Sequence, residues 1–203
     1  MTIVISVENL YIKEIDRTIS VKFSKGINFL KGSNGSGKTL LLDYLSGLRK
    51  LKNKKNIKNI KNQNSNVYMR QNFSFYTKIT AYEFINFIEK LNGYSVQHFF
   101  DFLEEYVPNY DFNLYKAKKL GLLSGGERRY LYILAILSIE RDLYILDEPF
   151  SNIDQETKEQ LIKLIEKIHY KKNSNFIITS HELLTFENMN VFEFKDISSA
   201  GKI

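Results

Sequence analysis

Eight consecutive residues carry the clearest chemistry in this chain: Gly32, Ser33, Asn34, Gly35, Ser36, Gly37, Lys38 and Thr39. Glycines at this spacing, followed by a lysine and a hydroxyl residue, suit a loop that wraps phosphate. Glycine opens backbone torsions closed to other residues and leaves no side chain in an anion's way. Successive backbone N–H groups can then turn inward around phosphate oxygens. A helix starting near Gly37 adds its positive end. Lys38 can reach the β- and γ-phosphates, and Thr39 can offer its hydroxyl to Mg²⁺. Downstream, Leu143-Tyr144-Ile145-Leu146 leads into Asp147 and Glu148. Two acids at the end of an apolar strand fall where an open α/β sheet presents its ligand crevice. Asp147 is suited to holding Mg²⁺ and Glu148 to polarising an attacking water as general base. A second anion site is suggested by Ser124-Gly125-Gly126, a serine and two bare residues opening an apolar helix. One nucleotide already served by a phosphate loop has no use for it within a single protomer.

These residues need a frame. Ile27–Leu30 reads as a strand and Leu40–Leu45 as a helix, the strand–loop–helix order that a phosphate loop requires. Ile3–Val7 and Ile19–Phe23 alternate like strands. Val67–Met69 is a short strand ending at Arg70-Gln71. Thr80, with Glu83 three residues on, predicts a capped helix in which Tyr82, Ile85 and Ile88 recur at helical spacing. A second helix is expected over 96–106, before Pro108. The aromatics here, Phe84, Phe87, Phe99, Phe100 and Phe102, read as core. Residues 124–139 predict an apolar helix, 154–168 an amphipathic one, and Phe176–Thr179 a buried strand. Continuous apolar strands alternating with helices imply a parallel sheet covered on both faces.

With 203 residues, the chain is large enough for one real core. It has no cysteine, which excludes disulfides and thiolate metal sites. The N-terminus lacks a basic region followed by an apolar run, and no apolar stretch approaches the ~20 residues of a membrane span. The net charge of +6 is local: removing the seven cations Arg49, Lys50, Lys52, Lys54, Lys55, Lys58 and Lys61 leaves −1. Residues 49–66 read as a polar loop with a weak strand at 57–60.

Together these motifs resemble the nucleotide-binding subunit of ATP-binding cassette (ABC) proteins. Leu123-Ser124-Gly125-Gly126-Glu127 is similar to that family's signature sequence, about twenty residues before the strand ending at Asp147 and Glu148. The resemblance spans essentially the whole chain. It implies a P-loop NTPase α/β core with a mostly parallel sheet, an N-terminal antiparallel β portion and an inserted helical subdomain. Residues 1–203 would form one nucleotide-binding domain, with core 1–75 and 122–203 and helical subdomain 76–121. Two subunits, as a homodimer, would pair head to tail around two Mg-ATP, with Ser124, Gly125 and Gly126 of one covering the ATP of the other. Gln71 falls at the family's glutamine loop, near Mg²⁺ and facing the membrane partner. Ser151-Asn152-Ile153-Asp154 resembles the loop that communicates across the dimer, and His181 the switch histidine near the γ-phosphate. The implied activity is ATP hydrolysis. It would drive separate transmembrane permease subunits, with this chain held peripherally on the cytoplasmic face of the membrane.

Two departures matter. The aromatic that stacks on adenine has no firm counterpart: Tyr11 is near, and Ile15 occupies a competing place. Tyr130 stands where many relatives carry arginine. The rival reading is an ABC ATPase acting on nucleic acid or ribosomes through residues 49–61. A solvated loop is the commoner fate of such a run, and neither a coiled-coil insertion nor a second cassette is present in the sequence.

Overall fold

A computed structural model describes residues 3–51, 53–58, 65–71, 76–182 and 184–201. Residues 59 and 60 of the expected weak strand, and Lys52 and Lys61 of the basic run, lie outside them. The chain divides into two compact units.

The first unit comprises residues 1–71, 141–149 and 169–203. Its described residues form two sheets. The antiparallel sheet is built from β1 (Ile3–Ile12), β2 (Arg17–Ser24), β4 (Ile57–Lys58) and β9 (Ser198–Ala200), in the order β4-β1-β2-β9. The parallel sheet is built from β3 (Ile27–Lys31), β5 (Asn66–Met69), β6 (Leu143–Asp147), β7 (Asn175–Ser180) and β8 (Met189–Glu193), in the order β5-β6-β7-β3-β8. Ile5, Ile12, Ile19 and Phe23 of the first sheet share one buried cluster with Leu30, Ile145 and Ile177 of the second. Helix α1 (Lys38–Leu45) adds Leu41, Leu42 and Leu45 to it. At about 25 cal/mol per Å² of apolar surface, this shared core fixes α1, and therefore the loop before it, against the strands.

One polar residue interrupts the buried strand β3, and its partners explain it. Asn28 is 1% exposed. Its amide donates to the carbonyls of Ser24 (2.8 Å) and Phe176 (3.1 Å), and its oxygen accepts the Ser24 N–H. It clamps the β2–β3 turn onto β7. The register Asp147↔Thr179 and Met69↔Leu146 aligns the ends of β5, β6 and β7 at one edge. Strands β8 and β9 were not expected. Both are half-exposed at sheet edges, so neither has the continuous apolar run of a buried strand.

The second unit comprises residues 72–140 and 150–168. It contains α2 (Ala81–Leu91), α3 (Val96–Tyr106), α4 (Gly125–Ser138) and most of α5 (Gln155–Lys172). The expected capping box is present: Thr80 Oγ1 accepts the Glu83 N–H at 3.1 Å, and the Thr80 N–H donates to Glu83 Oε2 at 2.7 Å. Phe84, Phe99 and Phe102 are buried, as their spacing implies, and Phe99 packs edge-on against Phe112 at 5.4 Å. Phe87 departs from that expectation: it is 54% exposed and stands beside the exposed Leu91, one turn further along α2. Among the described residues no helix is long and apolar enough to cross a membrane.

Candidate functional site

The glycines of the phosphate loop are there for identifiable reasons. Gly35 and Gly37 have φ of +75° and +109°, where side chains strain the backbone. A Cβ on Gly37 would lie 2.4 Å from Ile15 Cδ1. A Cβ on Gly32 would crowd Phe194 Cβ at 3.0 Å and Ser36 Oγ at 3.1 Å, filling the cradle. Inside that cradle Ser36 Oγ is buried with no hydrogen-bond partner. A buried polar group without a partner costs free energy unless something supplies one. Lys38, 6% exposed, folds its ammonium over the loop and donates to the carbonyls of Gly32 (2.7 Å) and Ser33 (3.1 Å). Ser33 and Asn34 lie exposed at the loop's rim.

Next to the loop, Thr39 Oγ1 donates to Asp147 Oδ2 at 2.7 Å. Asp147 is fully buried, and its other oxygen accepts from Thr179 Oγ1 at 2.7 Å. Thr179 Oγ1 in turn accepts the Glu148 N–H at 3.0 Å. Glu148 has φ of +51°, a left-handed conformation costly for a glutamate. The turn aims its carboxylate at His181: Glu148 Oε2 accepts the His181 N–H at 3.3 Å and lies 3.0 Å from His181 Nδ1. Lys38, Thr39, Asp147, Glu148 and His181, far apart in sequence, thus meet at one sheet edge. Gln71 follows β5, the neighbour of β6, on the same edge and is exposed.

A third carboxylate was not expected. Asp43 of α1 is 3% exposed and accepts from the Tyr68 hydroxyl at 3.0 Å and from Arg49 Nε at 3.3 Å, with Arg70 Nε at 3.5 Å. Burial first, and then the charges of Asp147 and Asp43, hold the Tyr68 hydroxyl protonated well above the usual tyrosine range. This cluster ties the helix of the phosphate loop to the strand that ends before Gln71. Ile15 borders Gly37, whereas the Tyr11 hydroxyl donates to Asp16 at 2.9 Å.

In the second unit, Ser124 begins α4 with its own capping box. Its Oγ accepts the Glu127 N–H at 3.1 Å, and its N–H donates to Glu127 Oε2 at 2.7 Å. That backbone bond first, then the hydroxyl, holds the Glu127 carboxyl below its usual range. Gly125 has nothing within 4 Å of where a Cβ would stand, and Gly126 only the Asn152 carbonyl at 3.5 Å. Neither has positive φ. Asp154 caps α5, its Oδ1 accepting the Thr157 N–H at 2.9 Å.

The family profile for ABC transporters matches residues 17–151. This chain is an ABC family member. The cassette is 29% identical over 159 residues to the molybdate/tungstate import ATP-binding protein WtpC of Pyrococcus horikoshii, covering 74% of this chain and 46% of that protein. Its identity to the protein of the same description from Pyrococcus abyssi is 31% over 154 residues, covering 72% and 45%. The cassette thus spans about half the length of these curated relatives. Among solved structures it resembles a Pyrococcus furiosus protein provisionally described as an ABC transporter ATP-binding protein (TM-score 0.77, 26% identity, 96% and 99% coverage). It shares its fold with a nucleotide-free ATP-binding cassette from an ABC transporter (TM-score 0.73, 18% identity, 100% and 92% coverage). The ABC fold expected from the motifs, with parallel and antiparallel sheets and a helical subdomain, is the fold observed. Sequence reasoning missed Thr179, Phe194 and Asp43 in this cassette. Only Thr179 left a signal, as a hydroxyl ending an apolar strand that pairs with β6.

Proposed function

We propose that this chain is the ATP-hydrolysing subunit of a transporter, acting as a pair around two Mg-ATP to drive separate membrane-spanning subunits. The observation that carries the reading is the unsatisfied Ser36 hydroxyl within a glycine-cleared cradle, one strand away from the Asp147–Glu148 pair. A phosphate oxygen is the acceptor that Ser36 lacks.

Phosphoryl transfer needs positioning and charge neutralisation more than covalent help. The loop amides and Lys38 hold the triphosphate. Thr39 and Asp147, with Gln71 at the same edge, would hold Mg²⁺, which neutralises charge on the β- and γ-phosphates. Glu148 takes the proton of the attacking water, and His181 fixes its carboxylate. Thr179 positions both acids without touching substrate. Thr179→Val should therefore lower ATP turnover about 10–100-fold, as loss of an outer-shell partner does. It should lower the melting temperature too, because the buried Glu148 N–H and Asp147 carboxylate each lose a partner. Thr179→Ser, which keeps the hydroxyl, should restore most of the turnover.

Gly125 and Gly126 support the head-to-tail pairing. The folded protomer needs glycine at neither position, so the requirement for bare backbone comes from outside it: the triphosphate of a second copy. Helix α4 meets that anion with the N–H groups of Gly125 and Gly126 and the Ser124 hydroxyl. Asp154 sits in the loop beside the signature and would report closure to the partner.

The nucleic-acid reading is weakened by the basic run itself. Arg49 pairs with Glu14 and Asp43, and Lys58 with Glu8, so these cations are neutralised within the protein. Affinity-tagged chain extracted from its native membranes in mild detergent should bring down a polytopic membrane protein. Recovery of RNA-protein particles instead, dissociating with salt, would overturn the transporter reading.

A further inference from the structure

Beside the signature, and wholly within the second unit, lies a cavity of about 570 Å³ whose tyrosine- and lysine-lined part has no role in the proposed reaction. This is the size of a small-molecule site. Tyr106, Tyr110, Tyr115 and Tyr130 form its body, and Lys163 and Lys167 line it from α5. The rings are ordered among themselves: Tyr110 stacks on Tyr115 (5.6 Å, 7°) and meets Tyr130 edge-on (5.2 Å, 72°). Burial pushes the Tyr130 hydroxyl up to about 12, so it stays neutral and hydrogen-donating.

The charges are sorted across the lining. At one end are Asp154, just before α5, and Glu127 of α4, whose carboxylates are occupied as helix caps. Lys163 stands nine residues further along, roughly 14 Å at 1.5 Å per residue. It has no hydrogen-bond or ion-pair partner among the described residues. Lys167 lies 5.2 Å over the Tyr106 ring and donates to the Glu105 carbonyl. Flat π-faces in the middle and ammonium groups at one end complement one kind of ligand.

We propose that this cavity binds a planar aromatic anion, its ring among the tyrosines and its charge at Lys163. Ser124, Gly126 and Asp154 line the opposite end. A ligand seated here therefore stops the signature from closing on the partner's nucleotide and inhibits turnover without competing for the phosphate loop. This second consequence rests on the proposed function above.

The test uses 8-anilinonaphthalene-1-sulfonate with the full chain and no nucleotide. One saturable fluorescent site is expected, weakened at least tenfold by Lys163→Glu and by Tyr110→Ser, and unchanged by Lys38→Ala. Both first variants are to melt like the parent. In steady-state hydrolysis the probe should lower kcat and leave KM for ATP unchanged. Equal binding by all variants, binding lost only with Lys38→Ala, or saturation without inhibition would each overturn the proposal. The binding arm needs no ATP, so a chain that never hydrolyses ATP would count against the transporter reading and not against the cavity.

Discussion

Glu148→Gln is expected to lower ATP turnover by about 10²–10⁴-fold, the usual worth of a placed general base, while ATP binding survives. The geometry says why the two effects separate. In the proposed site the loop amides, Ser36 and Lys38 would hold the triphosphate, while Glu148 would act on the attacking water. Glutamine keeps the shape and still accepts from the His181 N–H, but it cannot take a proton. Turnover should therefore fail at the chemical step, with nucleotide trapped in a closed pair. Gel filtration with Mg-ATP should show a persistent dimer, and filter binding an unchanged affinity. Turnover at the parent rate would remove Glu148 from the role of base. A lost nucleotide affinity would mean that its carboxylate braces the loop instead.

The largest effect on stability is expected at a residue remote from the chemistry. Glu89 of α2 is fully buried, with Oε2 2.8 Å from His98 Nδ1 of α3 and Oε1 accepting from Ser138 of α4 at 2.8 Å. Tyr94 stacks on the His98 ring at 4.0 Å and closes the site. A single carboxyl group thus joins three helices. Glu89→Ala removes it and leaves a serine hydroxyl and an imidazole facing a void. Unpairing both groups costs about 2–6 kcal/mol, and at about 2–4 °C per kcal/mol for this size the melting temperature should fall by roughly 4–24 °C. Glu89→Gln preserves the volume and the Ser138 bond, so it should fall by clearly less. Equal melting of all three proteins would show that the network is energetically idle.

Much of this was readable from residues alone because the nucleotide chemistry is local. The glycines, Lys38 and Thr39 are consecutive, and Asp147 and Glu148 close an apolar strand. The capping boxes at Thr80 and Ser124 are four-residue patterns. Features made by distant segments were not readable. Thr179 matters because β7 lies beside β6, and that order appears only when the sheet is assembled. Asp43 looks like an ordinary helix polar residue until Tyr68, Arg49 and Arg70 converge on it. By sequence Tyr11 is the nearest aromatic to the adenine-stacking position, and Ile15 competes for that place. What separates them is that one touches Gly37 and the other is held by Asp16. Edge strands β8 and β9 stayed hidden because half-solvated backbone needs no hydrophobic signature.

The left-handed turn at Glu148 has an evolutionary corollary. Asparagine adopts that backbone shape more readily than glutamate, and glycine does so at no steric cost. In a library screened only for thermal tolerance, substitutions to these residues should surface among the survivors, hardier than the parent and unable to turn ATP over. Glutamate at this position would then be retained by selection for turnover and lost where only endurance is rewarded.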